Sequence, residues 1–112
     1  MNKEKLPEGI TQDMVDAAKT KWPKEGAVKF ADLEMDDYGN ILTVLVRRPC
    51  RTVMSEYSKW EKNSPKKADE TLVKACLLSH KDQVMEDDDL FMAAVDAIAK
   101  MIKVRQATLK NI

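Results

Sequence analysis

Cys76 and His80 stand four residues apart, so a continuing helix would place thiol and imidazole on one face. Such a pair is the simplest arrangement for nucleophilic chemistry. The imidazole can take the thiol proton, and Asp82 is available as a third, orienting group. The surrounding sequence works against this reading. His80 falls where helical periodicity gives out, in Ser79-His80-Lys81-Asp82, and no glycine-rich loop supplies oxyanion-binding amides. A cysteine inside an apolar helical stripe is ordinarily a small core residue. His80 is the one histidine of the chain, which also removes most metal sites.

The densest set of oxygen ligands is Glu86-Asp87-Asp88-Asp89. A helix-loop-helix calcium loop needs glycine at its sixth position and glutamate at its twelfth. Counted from Asp87, those positions hold Met92 and Ile98. Acidic residues just ahead of an apolar periodic run are better explained as a helix cap and a partner for the helix dipole.

Arg47, Arg48 and Arg51, with Lys59, Lys62, Lys66 and Lys67, form the one basic concentration. Phosphates attract arginine and bases stack on aromatic rings, so Tyr57 and Trp60 nearby would complete a nucleic-acid surface. Yet Tyr57 and Trp60 share a helical face with Val53, which makes them core anchors first. An acidic block follows, and the chain has 19 basic and 19 acidic side chains, so no global field favours nucleic acid or an anionic membrane. The blocks alternate: residues 27–46 hold one positive and four negative charges, 47–67 seven and two, 68–89 two and seven, 90–112 four and one. They match within one molecule, or form complementary patches on a self-associating or partner-binding surface.

Seven methionines in 112 residues offer flexible, polarizable contacts. Met54 and Met101 lie off the strongest apolar stripes and are candidates, with Met92, Tyr57 and Trp60, for an adaptable partner-binding surface. With three glycines, the chain has little from which to build a phosphate or dinucleotide loop. No catalytic residue, metal ligand or cofactor is assigned, and the expectation is a protein that is not an enzyme.

The elements that would position these residues follow from periodicity. Residues 1–9 read as a flexible lead-in and 10–112 as a single α+β domain, a length that can bury roughly two thirds of the unfolded surface. Thr11 caps a helix over about 12–20, with Ile10 stapled to Val15, and Trp22-Pro23 ends it. Alternating residues over about 27–47 form one antiparallel hairpin, turned at Asp36–Asn40, with a bulge expected near Ala31-Asp32. Three helices follow. Thr52 or Ser55 caps the first, and Ser64-Pro65 starts the second along Ala68, Leu72, Ala75 and Cys76. The third is a long C-terminal helix over about 88–110. Cys50 and Cys76 are too few for a disulfide framework, the first residues lack an apolar signal core, and no apolar run reaches the roughly eighteen residues of a membrane span.

In this order the chain resembles the tail assembly chaperones of long-tailed phages and prophages. The residues that carry the likeness are Arg47-Arg48-Pro49 leaving the second strand, Tyr57, Cys76 closing its helix, Asp88-Asp89-Leu90-Phe91, and Ala107-Thr108-Leu109-Lys110. Where relatives often carry a tryptophan or glycines and an aspartate, this chain has Cys76–Asp82 without glycine. The resemblance implies a non-enzymatic role: binding the tape measure protein, keeping its apolar segments soluble and helping to recruit tail tube subunits. It also implies the host cytoplasm as the place of action and absence from the mature virion. A small structural or connector protein of a phage or mobile element is the alternative, and a nucleic-acid-binding regulator using Arg47, Arg48 and Arg51 is a weaker one.

Overall fold

The computed structural model describes residues 6–102 and 107–112. The chain begins with a turn in which the Ile10 N–H donates to the Pro7 carbonyl at 3.1 Å, and Gly9 takes φ +84°, the conformation this turn requires of its third residue. The end of the expected lead-in is therefore part of the fold. Thr11 Oγ1 accepts the Met14 N–H and opens α1, Gln12–Lys21. Trp22, held out of the helical region by Pro23, closes it. Ile10 and Val15 are buried in one cluster, as the staple requires.

Strands β1, Val28–Glu34, and β2, Ile41–Arg47, pair antiparallel in one unbroken register, from Val28 opposite Arg47 to Glu34 opposite Ile41. The bulge expected near Ala31-Asp32 is not formed. The hairpin has two covered faces, so the jump from Phe30 to Leu33 is a change of face rather than of register. Ala31, Leu33, Leu42, Val44 and Val46 belong to the larger core, while Val28 and Leu45 join Ile10, Val15 and Ala18 beneath α1. At the hairpin tip the Asp36 carboxylate accepts from the Tyr38 N–H at 2.8 Å and the Asn40 amide at 2.7 Å. The Asn40 amide first, then the Tyr38 N–H, hold its pKa below the usual carboxylate value.

Helix α2, Arg51–Glu61, starts after Cys50, two residues earlier than a Thr52 cap would allow. Ser64 then precedes α3, Pro65–Cys76, with Pro65 in its first turn as the sequence indicates. Beyond α3 the chain extends. Leu77 bridges Val46, the Leu78 N–H donates to the Leu45 carbonyl, and the Leu45 N–H donates to Ser79 Oγ, each of these hydrogen bonds being 2.8 Å. This three-residue clasp closes the outer edge of β2.

His80, at φ 54°, turns the chain into a short helix α4, Lys81–Glu86, where periodicity reads only a polar connection. Among the described residues the hairpin is therefore followed by four helices rather than three. The last, α5, spans Asp88–Lys100, shorter than the stretch to about 110. Its end tightens, with the Met101 N–H reaching Ile98 and the Ile102 N–H reaching Ala99. Residues 103–106 lie outside the described residues, and 107–112 have no regular structure. The class is α+β. Among the described residues no helix is long and apolar enough to cross a membrane.

Candidate interaction surface

The structure separates Cys76 from His80. Cys76 is fully buried in the core, and burial pushes its thiol pKa up to about 11. His80 instead holds the clasp to the N-terminal turn: Nδ1 lies 2.8 Å from Ser79 Oγ and Nε2 lies 2.9 Å from the Glu8 carbonyl. A carbonyl only accepts, so Nε2 carries the hydrogen, and in the neutral ring Nδ1 accepts the Ser79 O–H. Ser79 Oγ in turn accepts the Leu45 N–H, which completes a relay from β2 to the first turn. Ser79 is buried and spends its hydroxyl on this relay. Sequence reading missed Ser79 and Gly9. The pairing of a glycine with a distant histidine leaves no periodic signal.

The basic cluster is divided in the same way. Arg47, expected on a basic surface, is buried: alternation puts it on the strand face shared with Leu45, under α1. Its guanidinium lies over the Trp22 ring, Nε donates to the Ala75 carbonyl at 3.0 Å, and Nη1 has no protein partner. Arg48 is half-buried and Arg51 exposed, so the three do not form one solvent-facing patch. Cys50, exposed ahead of α2, makes no capping hydrogen bond as a thiol. The nearby Val53 N–H foremost, then the Arg47 guanidinium, nevertheless favour its thiolate and hold its pKa below the usual value. Asp87 caps α5, accepting from the Asp89 N–H at 2.9 Å and the Leu90 N–H at 3.1 Å, while Asp88 and Asp89 occupy the first turn.

Of the residues proposed to meet a partner, Met54 and Tyr57 are half-buried against the core. Burial foremost, with Asp69 and Glu61 adding to it, raises the Tyr57 pKa. Trp60 is half-buried, with Lys67 Nζ 3.8 Å from its ring centroid. Met101 is not on the surface; it is buried, because α5 rotates it under the hairpin. Met92 is 56% exposed. At 100° per residue it shares an arc of α5 with Val95 and Ala99, at the spacing i, i+3, i+7, and Ile102 follows just past the helix end. Val95 is half-buried and Ala99 and Ile102 are exposed, so this strip continues the core face of Leu90, Ala94 and Ile98 out into solvent.

Two concavities flank the other side of α5. A groove of about 310 Å³ runs between the start of β1 and the end of α5, floored by Ala31, Val46, Ala97 and Met101. Another, of about 480 Å³ near the hairpin tip, is lined by Glu34, Asp36, Asp37, Asp89 and Asp96 with Met35 and Ala93. Lys100 pairs with Asp96 at 2.8 Å on the surface between them. Comparison with family models, curated proteins and solved structures gives no match to this chain.

Proposed function

We propose that this protein is a tail assembly chaperone that holds an apolar segment of a client, the tape measure protein, in the host cytoplasm. The observation that carries this reading is the exposed apolar strip formed by Met92 and Ala99 on α5 and Ile102 just past its end, bordering the core residue Val95. An exposed methionine in such a strip adapts to varied apolar side chains at modest affinity. A holder that tail tube subunits must later displace needs that modest affinity. The order of helix, hairpin and helices agrees with the plan that the sequence likeness implies.

Co-expression with a tape measure fragment tests the reading. The chaperone raises the soluble yield of the fragment and co-purifies with it, and Met92→Asp with Ala99→Asp removes both effects while leaving the helical spectrum intact. No gain in solubility with the unaltered protein would overturn the proposal. Mass spectrometry of assembled particles adds a second check, since a chaperone is absent from them and a structural component is present at fixed stoichiometry.

A further inference from the structure

The two edges of the hairpin are unequal. The Arg48 N–H donates to the Ala27 carbonyl and the Met35 N–H to the Asn40 carbonyl. In this register the odd-numbered residues of β1 bond to β2, and Val28, Phe30, Asp32 and Glu34 turn their N–H and C=O groups away from it. The same count sends the Leu45 backbone to the outer side of β2, where Leu78 and Ser79 meet it. Among the described residues β1 has no such neighbour. An extended backbone is the natural partner for four residues of unpaired donors and acceptors.

We propose that the partner is β1 of a second copy, paired antiparallel about a twofold axis through Phe30 to give a four-stranded sheet and a dimer. Charge supports the antiparallel sense. At the C-terminal end of β1 five carboxylates and no basic side chain line the cavity. At its N-terminal end Lys29, Arg48 and Lys100 balance Glu25, Asp32 and Asp96. Antiparallel pairing sets the acidic end of each copy against the charge-balanced end of the other, where cations are present; parallel pairing would stack acid on acid.

Like-charge contacts exclude two registers, and the Phe30 ring decides between the two that remain. An axis through Asp32 faces that carboxylate with its own copy, and an axis through Lys29 does the same for the ammonium. An axis through Ala31 sets the Phe30 ring opposite Asp32. An axis through Phe30 places Lys29 opposite Ala31 and Val28 opposite Asp32, and it alone sets ring against ring, covering a side chain that is 47% exposed in the single chain. Lysine at a strand edge commonly deters pairing; in this register it meets no direct like charge.

The test is the solution mass of the full chain by sedimentation at about 100 µM, where a contact of micromolar strength is populated. The expected species has twice the 12.7 kDa chain mass. Asp32→Pro removes an N–H that points away from β2, so the hairpin ladder survives while the outer edge is blocked; the expected result is a folded monomer. A wild-type monomer at that concentration, or a dimer that persists in folded Asp32→Pro, overturns the proposal. Should Asp32→Pro fail to fold, Phe30→Cys in a Cys50→Ser background decides, since the axis places the two position-30 α-carbons about 5.5 Å apart, within disulfide range. Rapid covalent dimerisation under mild oxidation is expected, and its absence would overturn the axis.

Discussion

The Arg47 guanidinium lies 4.6 Å from the centroid of the Trp22 ring while its Nε donates to the Ala75 carbonyl at 3.0 Å. One side chain on β2 therefore ties the end of α1 to the last turn of α3. The arrangement carries one uncompensated group, Nη1, which is buried without a protein partner.

Arg47→Ala removes a charge-assisted hydrogen bond and a cation–π contact, and a loss of about 2–4 kcal/mol is expected in urea unfolding. Arg47→Lys keeps the charge but loses the planar stack and the Nε–H, and is expected to recover less than half of that loss. Arg47→Met fills the same space without an unpaired buried nitrogen, and is expected to be the mildest of the three. Methionine proving worse than alanine would contradict this account.

Gly9 and His80 are coupled across most of the chain. A β-carbon at Gly9 would collide with the His80 ring, and its φ of +84° is itself costly for other residues. Gly9→Ala is expected to destabilise by about 1–3 kcal/mol, the sum of a backbone and a steric cost. A double-mutant cycle with His80→Ala separates the two, because the second change relieves only the collision. The expected coupling is favourable and about 1 kcal/mol. Strict additivity would show that the turn does not dock on the ring.

The two thiols differ in environment, and alkylation at rising pH reads the difference. Cys50 is exposed and its thiolate is favoured by the Val53 N–H, so its rate should reach half-maximum below the pH of an unperturbed thiol. Cys76, buried and with its pKa raised to about 11, should react only on unfolding. Equal labelling of both in the folded protein would refute the placement of Cys76.

The Asp87 carboxylate accepts two of the N–H groups that the first turn of α5 leaves open. Asp87→Ala is expected to cost about 1 kcal/mol and Asp87→Ser only a few tenths, measured by thermal unfolding. Asp88→Ala, which removes a charge from the first turn but no cap, should cost less than Asp87→Ala.

Much of this fold can be read from residue spacing where the signal is local. Thr11, Trp22-Pro23 and Ser64-Pro65 mark helix ends because the physics of capping and proline acts over a few residues. The hairpin is legible for the same reason. The misplaced features depend on contacts distant in sequence. The Phe30–Leu33 slip looks like a bulge until α1 is known to cover the second face. Arg47 reads as solvated until Trp22 is brought to it. Met101 reads as exposed because the stripe of α5 alone does not show that the hairpin lies over it. Of the candidate surface, Met92 was legible as a polarizable side chain, whereas Phe30 became a candidate only when the strand register left its backbone turned away from β2.

The clasp of Leu77–Ser79 on β2 has a kinetic meaning. It joins Leu45 to Ser79 across a separation of 34 residues, while the hairpin and the α2–α3 pair that it encloses are each made of near neighbours in sequence. Closing that span has an entropic cost that local elements avoid, so the clasp should lock late, after the pieces it encloses have formed. Ser79→Ala should therefore leave the refolding limb of a chevron almost unmoved and steepen the escape from the native state, shortening its lifetime about 5–10-fold for each 1–1.4 kcal/mol lost.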